Sequence, residues 1–147
     1  MIKQRLLGRT GLKISELCLG TLNFGWKTDD RIAFAILDAY YAAGGNFIQA
    51  THQSPEQFLP SATVAASEEI VGRWWTSRKL RRQDLFLATR VYLRAPADAA
   101  DGTLTKLASD ACREALRRMQ TNYLDLVIFE WSEGFASTPK SWTRRSN

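Results

Sequence analysis

Cysteine is scarce. The 147 residues hold two, Cys18 and Cys112. They lie far apart in apolar segments, which excludes a cysteine-based metal motif and points to buried free thiols in a reducing compartment. Long apolar runs are also missing. No stretch approaches the ~18 consecutive apolar residues of a membrane span, and the opening Met1-Ile2-Lys3-Gln4-Arg5 has no run of signal-peptide length. A cytoplasmic location with no membrane partner is the expectation. Charge of one sign is only mildly in excess, with 20 basic against 15 acidic residues and a net charge of +5. The densest basic run, Arg78-Lys79-Leu80-Arg81-Arg82, sits in no nucleic-acid-binding motif. It reads as a solvated helix-to-strand connection, and no nucleic-acid partner is expected.

What is present is a repeating step. Hydrophobic residues make up 45% of the chain, enough for one domain that hides roughly 68–70% of its unfolded surface. Two short β-prone pieces, 2–7 and 12–14, flank Gly8-Arg9-Thr10-Gly11 and read as a hairpin. A first core strand is expected at 16–20. Thr28 is the expected N-cap of a helix over 28–43, with Asp29 and Asp30 in its first turn and Ile32, Ile36 and Tyr40 on its apolar stripe. Gly44 suits the left-handed residue that ends such a helix, and 46–50 reads as the second strand. A loop follows over 51–66, then a helix opened by Ser67-Glu68-Glu69 with Ile70, Val71, Trp74 and Trp75 on its apolar face. A third strand over 84–89 is apolar enough to be covered on both sides. After a loop over 95–102, Thr103 or Thr105 caps a third helix whose stripe is Ala108, Ala111, Cys112, Ala115, Leu116 and Met119. A fourth strand covers 124–129. From Ser132 the period dissolves, so residues 1–131 form the expected domain and 132–147 an irregular tail.

A hairpin followed by β-α-β-α-β-α-β is an α/β layer fold or part of a (β/α)₈ barrel. Specific words choose between them. Leu6-Leu7-Gly8-Arg9-Thr10-Gly11-Leu12-Lys13-Ile14-Ser15-Glu16-Leu17, then Leu19-Gly20-Thr21-Leu22-Asn23-Phe24-Gly25, resemble the opening of the aldo-keto reductase family. Ala43-Gly44-Gly45-Asn46-Phe47-Ile48 is similar to its second strand, and Ser67-Glu68-Glu69-Ile70-Val71-Gly72-Arg73-Trp74 to its second helix. Leu87-Ala88-Thr89 and the segment from Leu116 to Leu126 resemble its third strand and the approach to its fourth. The resemblance spans about 1–131 and implies the N-terminal half of a (β/α)₈ TIM barrel: an N-terminal β-hairpin, then about four parallel strands with three helices. A whole barrel takes about 250 residues.

The resemblance also implies chemistry. The family reduces carbonyls with NADPH, using a Tyr acid assisted by a Lys, an Asp and a His. A phenol with an ordinary pKa near ~10 needs a neighbouring cation to give up its proton at neutral pH. All four positions differ in this chain. Gln49 stands for the Asp, Ser54 for the Tyr, Arg90 for the Lys and Glu130 for the His. No Tyr occurs between Tyr41 and Tyr92, so sliding the loop does not restore one. Tyr92, two residues after Arg90, and His52 are the conceivable substitute acids. Packing at the barrel rim for Tyr92 and a solvated loop position for His52 are the structural alternatives. Gly20, Thr21 and Gln49 match cofactor-lining places for NADP, while the rest of that site falls in the half the resemblance does not cover.

Three functional expectations follow. One is an inactive half-barrel fragment of NADP-dependent oxidoreductase ancestry, the product of a truncated or frame-shifted gene. Another is a carbonyl oxidoreductase whose barrel is rebuilt, as a homodimer or with a C-terminal-half partner, through open sheet edges. The last is a non-catalytic interaction module. No metal site is expected.

Overall fold

The computed structural model describes residues 1–51, 66–93 and 102–131. The hairpin forms as expected: β1 (Gln4–Leu6) and β2 (Lys13–Ser15) are antiparallel, with Gln4 opposite Ser15. Gly8 and Gly11 turn the chain between them with positive φ, +52° and +77°. There follow β3 (Leu19–Gly20), α1 (Asp30–Ala42), β4 (Phe47–Thr51), α2 (Ala66–Ser77), a 3₁₀ turn (Arg82–Asp84), β5 (Phe86–Leu93), α3 (Thr103–Arg118) and β6 (Leu126–Trp131). The four later strands make one parallel sheet in the order β3-β4-β5-β6. Spatial order equals chain order, as repeated crossovers of one hand require.

Alternation along the strands gives the sheet two unlike faces. Ile48, Ala50 and Leu87 point to the helices and are fully buried with Leu37 of α1 and Ile70, Val71 and Trp74 of α2. Val91 and Leu93 pack with Ala108 and Ala111 of α3. The opposite face carries Phe47, Gln49, Ala88, Arg90, Tyr92 and Glu130, with the Phe47 and Phe86 rings edge-on at 4.8 Å.

The turn from α1 into β4 shows how tightly local sequence fixes the register. Gly44 takes φ +93°, its N–H donates to the Tyr41 carbonyl at 2.9 Å, and the Gly45 N–H donates to Tyr40 at 3.0 Å. This paired closure is the Schellman arrangement. Gly45 is needed for a second reason: a Cβ there would stand 2.3 Å from the Tyr40 ring. The Tyr40 hydroxyl lies 2.6 Å from the Leu17 carbonyl, 2.8 Å from that of Phe47 and 2.7 Å from Ser15 Oγ. Asn46 accepts from the Ser15 N–H at 2.7 Å and donates to the Lys13 carbonyl at 3.1 Å. Hairpin, β3 and β4 are thereby tied at one point.

Several expectations are corrected. The N-cap of α1 is Asp29, whose Oδ1 accepts from the Ile32 N–H at 2.9 Å, so Thr28 lies outside the helix. A carboxylate one residue nearer to the first free N–H groups serves them better than the threonine hydroxyl. Ile32 and Ile36 are 42% and 37% exposed. Ala33 and Leu37 face the sheet, and the isoleucine flank lies at the β3 side, where no further described element covers it. The first core strand shrinks to two residues, because the preceding segment is held by Tyr40 rather than by β4. Residues 82–84 form a 3₁₀ turn before the third strand, which runs on to Leu93. Cys18 is exposed and Cys112 half-buried, and partial burial pushes both thiols up. The loop expected at 51–66 loses both ends to regular structure, Thr51 closing β4 and Ala66 opening α2; residues 52–65, most of the loop expected at 95–102, and the tail 132–147 lie outside the described residues.

The basic run is not a free patch. Arg78 pairs with Asp38 at 2.8 Å, Arg81 with Asp84 at 2.9 Å and Arg82 with Asp125 at 2.6 Å. Arg82 also stacks 3.9 Å from the centre of the Tyr123 ring, and Asp125 accepts from the Leu87 N–H at 2.9 Å. These residues clamp the connection into β5 against the start of β6.

Two outcomes test this packing. At Gly72 an added Cβ would meet the Arg118 carbonyl oxygen at 2.4 Å and Met119 backbone at 2.9 Å. Gly72→Ala should therefore lower stability by about 1–3 kcal/mol, read by urea unfolding. The hydrogen bonds from Arg78 hold the Asp38 carboxyl below its usual range. A lowered folded-state pKa gives stability that is present above the unfolded value near ~3.9 and is lost as pH falls through the folded value. The difference in Tm between the native chain and Asp38→Asn should thus be constant from pH 7 to about 5 and shrink below about 4.

Candidate functional site

Parallel (β/α) sheets present their chemistry at the C-terminal ends of the strands. There the register sets Gly20 beside Gln49, Thr51 beside Arg90, and Tyr92 beside Glu130. Gln49 and Arg90 touch. With the amide turned so that its oxygen faces the guanidinium, that oxygen accepts from Arg90 Nε at 3.2 Å and Nη2 at 3.1 Å. Arg90 Nη1 lies 3.6 Å from Glu130 Oε1, with both side chains close to half-exposed. Three of the four substituted positions therefore meet as a ladder across β4, β5 and β6.

Its charge pattern follows from the residue types. Gln49 offers the guanidinium of Arg90 a neutral dipole, and the counter-charge comes from Glu130 instead. Tyr92 is half-buried on the same face, since β5 continues far enough to give Arg90 and Tyr92 a shared side. The other described phenols are elsewhere, Tyr40 and Tyr41 on α1 and Tyr123 under Arg82. Ser54 and His52 lie outside the described residues.

The cofactor-lining expectations separate. Among the described residues, nothing lies within 4 Å of a Cβ added at Gly20. Thr21 is fully buried, its N–H and Oγ1 lying 3.1 and 3.2 Å from the Gln49 carbonyl oxygen and its hydroxyl against Ser67 Oγ. Any influence of Thr21 on a ligand passes through its hold on Gln49. Among the described residues, no group of three His, Cys, Asp or Glu could hold a metal ion, and no helix is long and apolar enough to cross a membrane.

Sequence reasoning missed a buried polar layer behind the strand ends. Glu68 is fully buried, accepting from Thr89 Oγ1 and from Arg118 Nε at 2.7 Å. The sequence places it only among the residues that open the second helix. The available signal was Gly72, one turn later, which marks where α2 approaches the end of α3 closely enough for Glu68 to be enclosed.

A four-stranded parallel sheet with helices on one face and a polar ladder at its strand ends has the build of the first part of a (β/α) barrel. The family comparison is direct. A family model, Aldo/keto reductase family, matches residues 16–140, and the chain belongs to that family. The uncharacterized oxidoreductase YrpG of Bacillus subtilis is 35% identical over 127 residues, covering 82% of this chain and 37% of that protein. Norsolorinic acid reductase B of Aspergillus parasiticus is 30% identical, over 93% of this chain and 37% of its own length. An aldo-keto reductase from Klebsiella pneumoniae solved in complex with NADPH superposes with a TM-score of 0.57 at 26% identity, covering 82% of this chain and 37% of that one. The aldo/keto reductase of Brucella melitensis, at 21% identity and a TM-score of 0.58, shares the fold over 89% of this chain and 42% of its own. The chain thus spans less than half the length of these relatives.

The two ion pairs differ sharply in setting, and that difference is measurable. Arg90→Met removes a half-exposed pair and should change stability by about 0–1 kcal/mol. Arg82→Met strands Asp125, whose side chain is 13% exposed, and should cost about 3–5 kcal/mol. Paired urea titrations report both.

Proposed function

We propose that this chain is a catalytically silent member of the aldo-keto reductase family, keeping the strand-end geometry of an NADP-dependent oxidoreductase without its proton-transfer chemistry. The observation that carries the reading is the Gln49–Arg90 contact. A neutral amide and a guanidinium meet where the resemblance implies a carboxylate and an amine. A guanidinium is a poorer proton donor than an amine, a neutral amide is neither an acid nor a base near neutral pH, and Ser54 is a far weaker acid than a phenol. Losing the acid with its partners removes a contribution of typically ~10²–10⁴-fold.

When bound, NADPH would supply a hydride. Of this chain, Gly20 gives it an open approach beside Gln49, and Arg90 presents a half-exposed cation. The described residues fit the nicotinamide end of such a cofactor and form no cradle for its adenosine phosphate, so weak binding is expected. A cytoplasmic setting suits the two free thiols.

A second reading is favoured by one feature: Ile32 and Ile36 are exposed beside the edge strand β3, and β6 is the other edge. Further (β/α) units, from a second copy or a C-terminal-half partner, would cover both edges and complete an NADPH site. Tyr92 or His52 would then be the substitute acid. NADPH titration by fluorescence, with light scattering and carbonyl-dependent NADPH oxidation on the same sample, separates the readings. The expected result is no oxidation above the protein-free rate. Turnover by a defined dimer that disappears in Tyr92→Phe or His52→Gln would overturn the silent reading and establish the second.

A further inference from the structure

The first turn of α2 touches the ends of three strands from the face opposite the Gln49–Arg90 contact. The Thr51 N–H donates to Ser67 Oγ at 3.2 Å. The Ser67 and Thr21 hydroxyls lie 2.5 Å apart, and Thr21 Oγ1 is 3.2 Å from the Gln49 carbonyl oxygen. Each hydroxyl has one proton to give. One order uses every contact: Thr51 N–H to Ser67, Ser67 to Thr21, Thr21 to Gln49. The ring encloses Ala50, so the two backbone groups flanking the turn of β4 out of the sheet are held by side chains.

The need for this ring comes from the edge. β3 ends at Gly20, and Thr21 makes its last backbone bond to β4, to the Gln49 carbonyl at 3.1 Å. The next β4 donor on that side is Thr51, and β3 has no strand residue left to receive it. Ser67 takes the place of the missing strand.

Glu68 does the corresponding work one strand over. Its Oε1 accepts from Thr89 Oγ1 and its Oε2 from Arg118 Nε. Thr89 precedes Arg90 and pairs with Ala50 in the register. Fixing the Thr89 side chain on the helix face fixes the direction in which Arg90 leaves the other face.

We infer that Ser67 and Glu68 are positioning residues, which act through Thr21, Thr51 and Thr89 to set the height and register at which Gln49 meets Arg90. The inference rests on reading that contact as the site and is independent of whether the site turns over. Its test is hydrogen exchange of the Arg90 Nε–H with water, followed by ¹⁵N NMR on the full 147-residue chain and assigned by its loss in Arg90→Lys. In the native chain this proton is slowed relative to free arginine, and Gln49→Ala removes the protection.

Ser67→Ala and Thr89→Val should each speed the exchange about two- to tenfold, the range expected when one hydrogen bond of ordinary net strength is weakened. Thr89→Ser, which keeps the hydroxyl, should restore the native rate. Leu37→Val, chosen for a comparable loss of Tm in the core, should leave it unchanged. Should Ser67→Ala fail to fold, Thr21→Val breaks the same ring at another link. A rate that follows Tm regardless of the variant, or that ignores Ser67→Ala and Thr21→Val alike, overturns the inference. So does an Arg90 proton that exchanges as in free arginine. None of these results bears on NADPH oxidation, so the silent reading stands or falls separately.

Discussion

The phenol of Tyr40 sits where three segments of backbone converge. Its oxygen lies within hydrogen-bonding distance of Leu17, Phe47 and Ser15, and its ring lies against the hydrogen face of Gly45. One proton cannot serve both carbonyls at once; the Ser15 hydroxyl, 2.9 Å from the Leu17 carbonyl, can donate to one of them and leave the phenol proton for Phe47, while Ser15 Oγ accepts from the Asn46 and Phe47 N–H groups. Burial raises the Tyr40 pKa and keeps that proton in place at physiological pH. Because Phe47 starts β4, this knot decides where every later residue of the strand stands. Gln49 is two residues on. A slip of one position would turn its amide to the helices and bring Ile48 out to the open face.

From that fixed register, charge accounting explains the character of the strand ends. The resemblance implies a carboxylate facing an ammonium, with an imidazole nearby. Here the carboxylate has moved two strands across, from the β4 position to Glu130 on β6, while the cation remains on β5. Net charge over these positions is conserved, but its geometry is not. The cation leans toward an exposed glutamate at 3.6 Å, and only a neutral amide stands on the other side. On the proposed reading, such an arrangement would bind and orient rather than transfer protons.

Much of the architecture was legible because the chain repeats one pattern with clear punctuation. The stripe through Ala108, Ala111 and Ala115 gave α3, and Gly44 gave the end of α1. What stayed hidden shares a physical cause: it depends on neighbours that periodicity does not see. Ile32 and Ile36 fit an apolar stripe, yet the sheet under α1 is too narrow to reach them. Glu68 was legible only as a helix-opening acid, and its burial depends on Arg118, fifty residues away. The basic run looked like a surface cluster because Asp38, Asp84 and Asp125 are scattered in sequence and meet it only in the fold. For the site, the positions of Gln49, Arg90 and Glu130 could be named from sequence, whereas their contact could not, since it requires the register.

Strand order that follows chain order has a consequence for how the molecule is made. Each sheet pairing joins segments separated by a single helix, so no strand waits for a distant partner. The paired positions still stand 29 to 39 residues apart, and parallel pairing must meet that closure cost before its contacts reward it. During synthesis β4 can be met by β5 as soon as α2 has emerged, and β6 then adds to an existing edge. The two-residue β3 contributes the smallest parallel pairing, so this edge of the sheet depends least on its ladder. The Tyr40 knot, which ties this segment to β4 through side chains, supplies there what the short ladder does not.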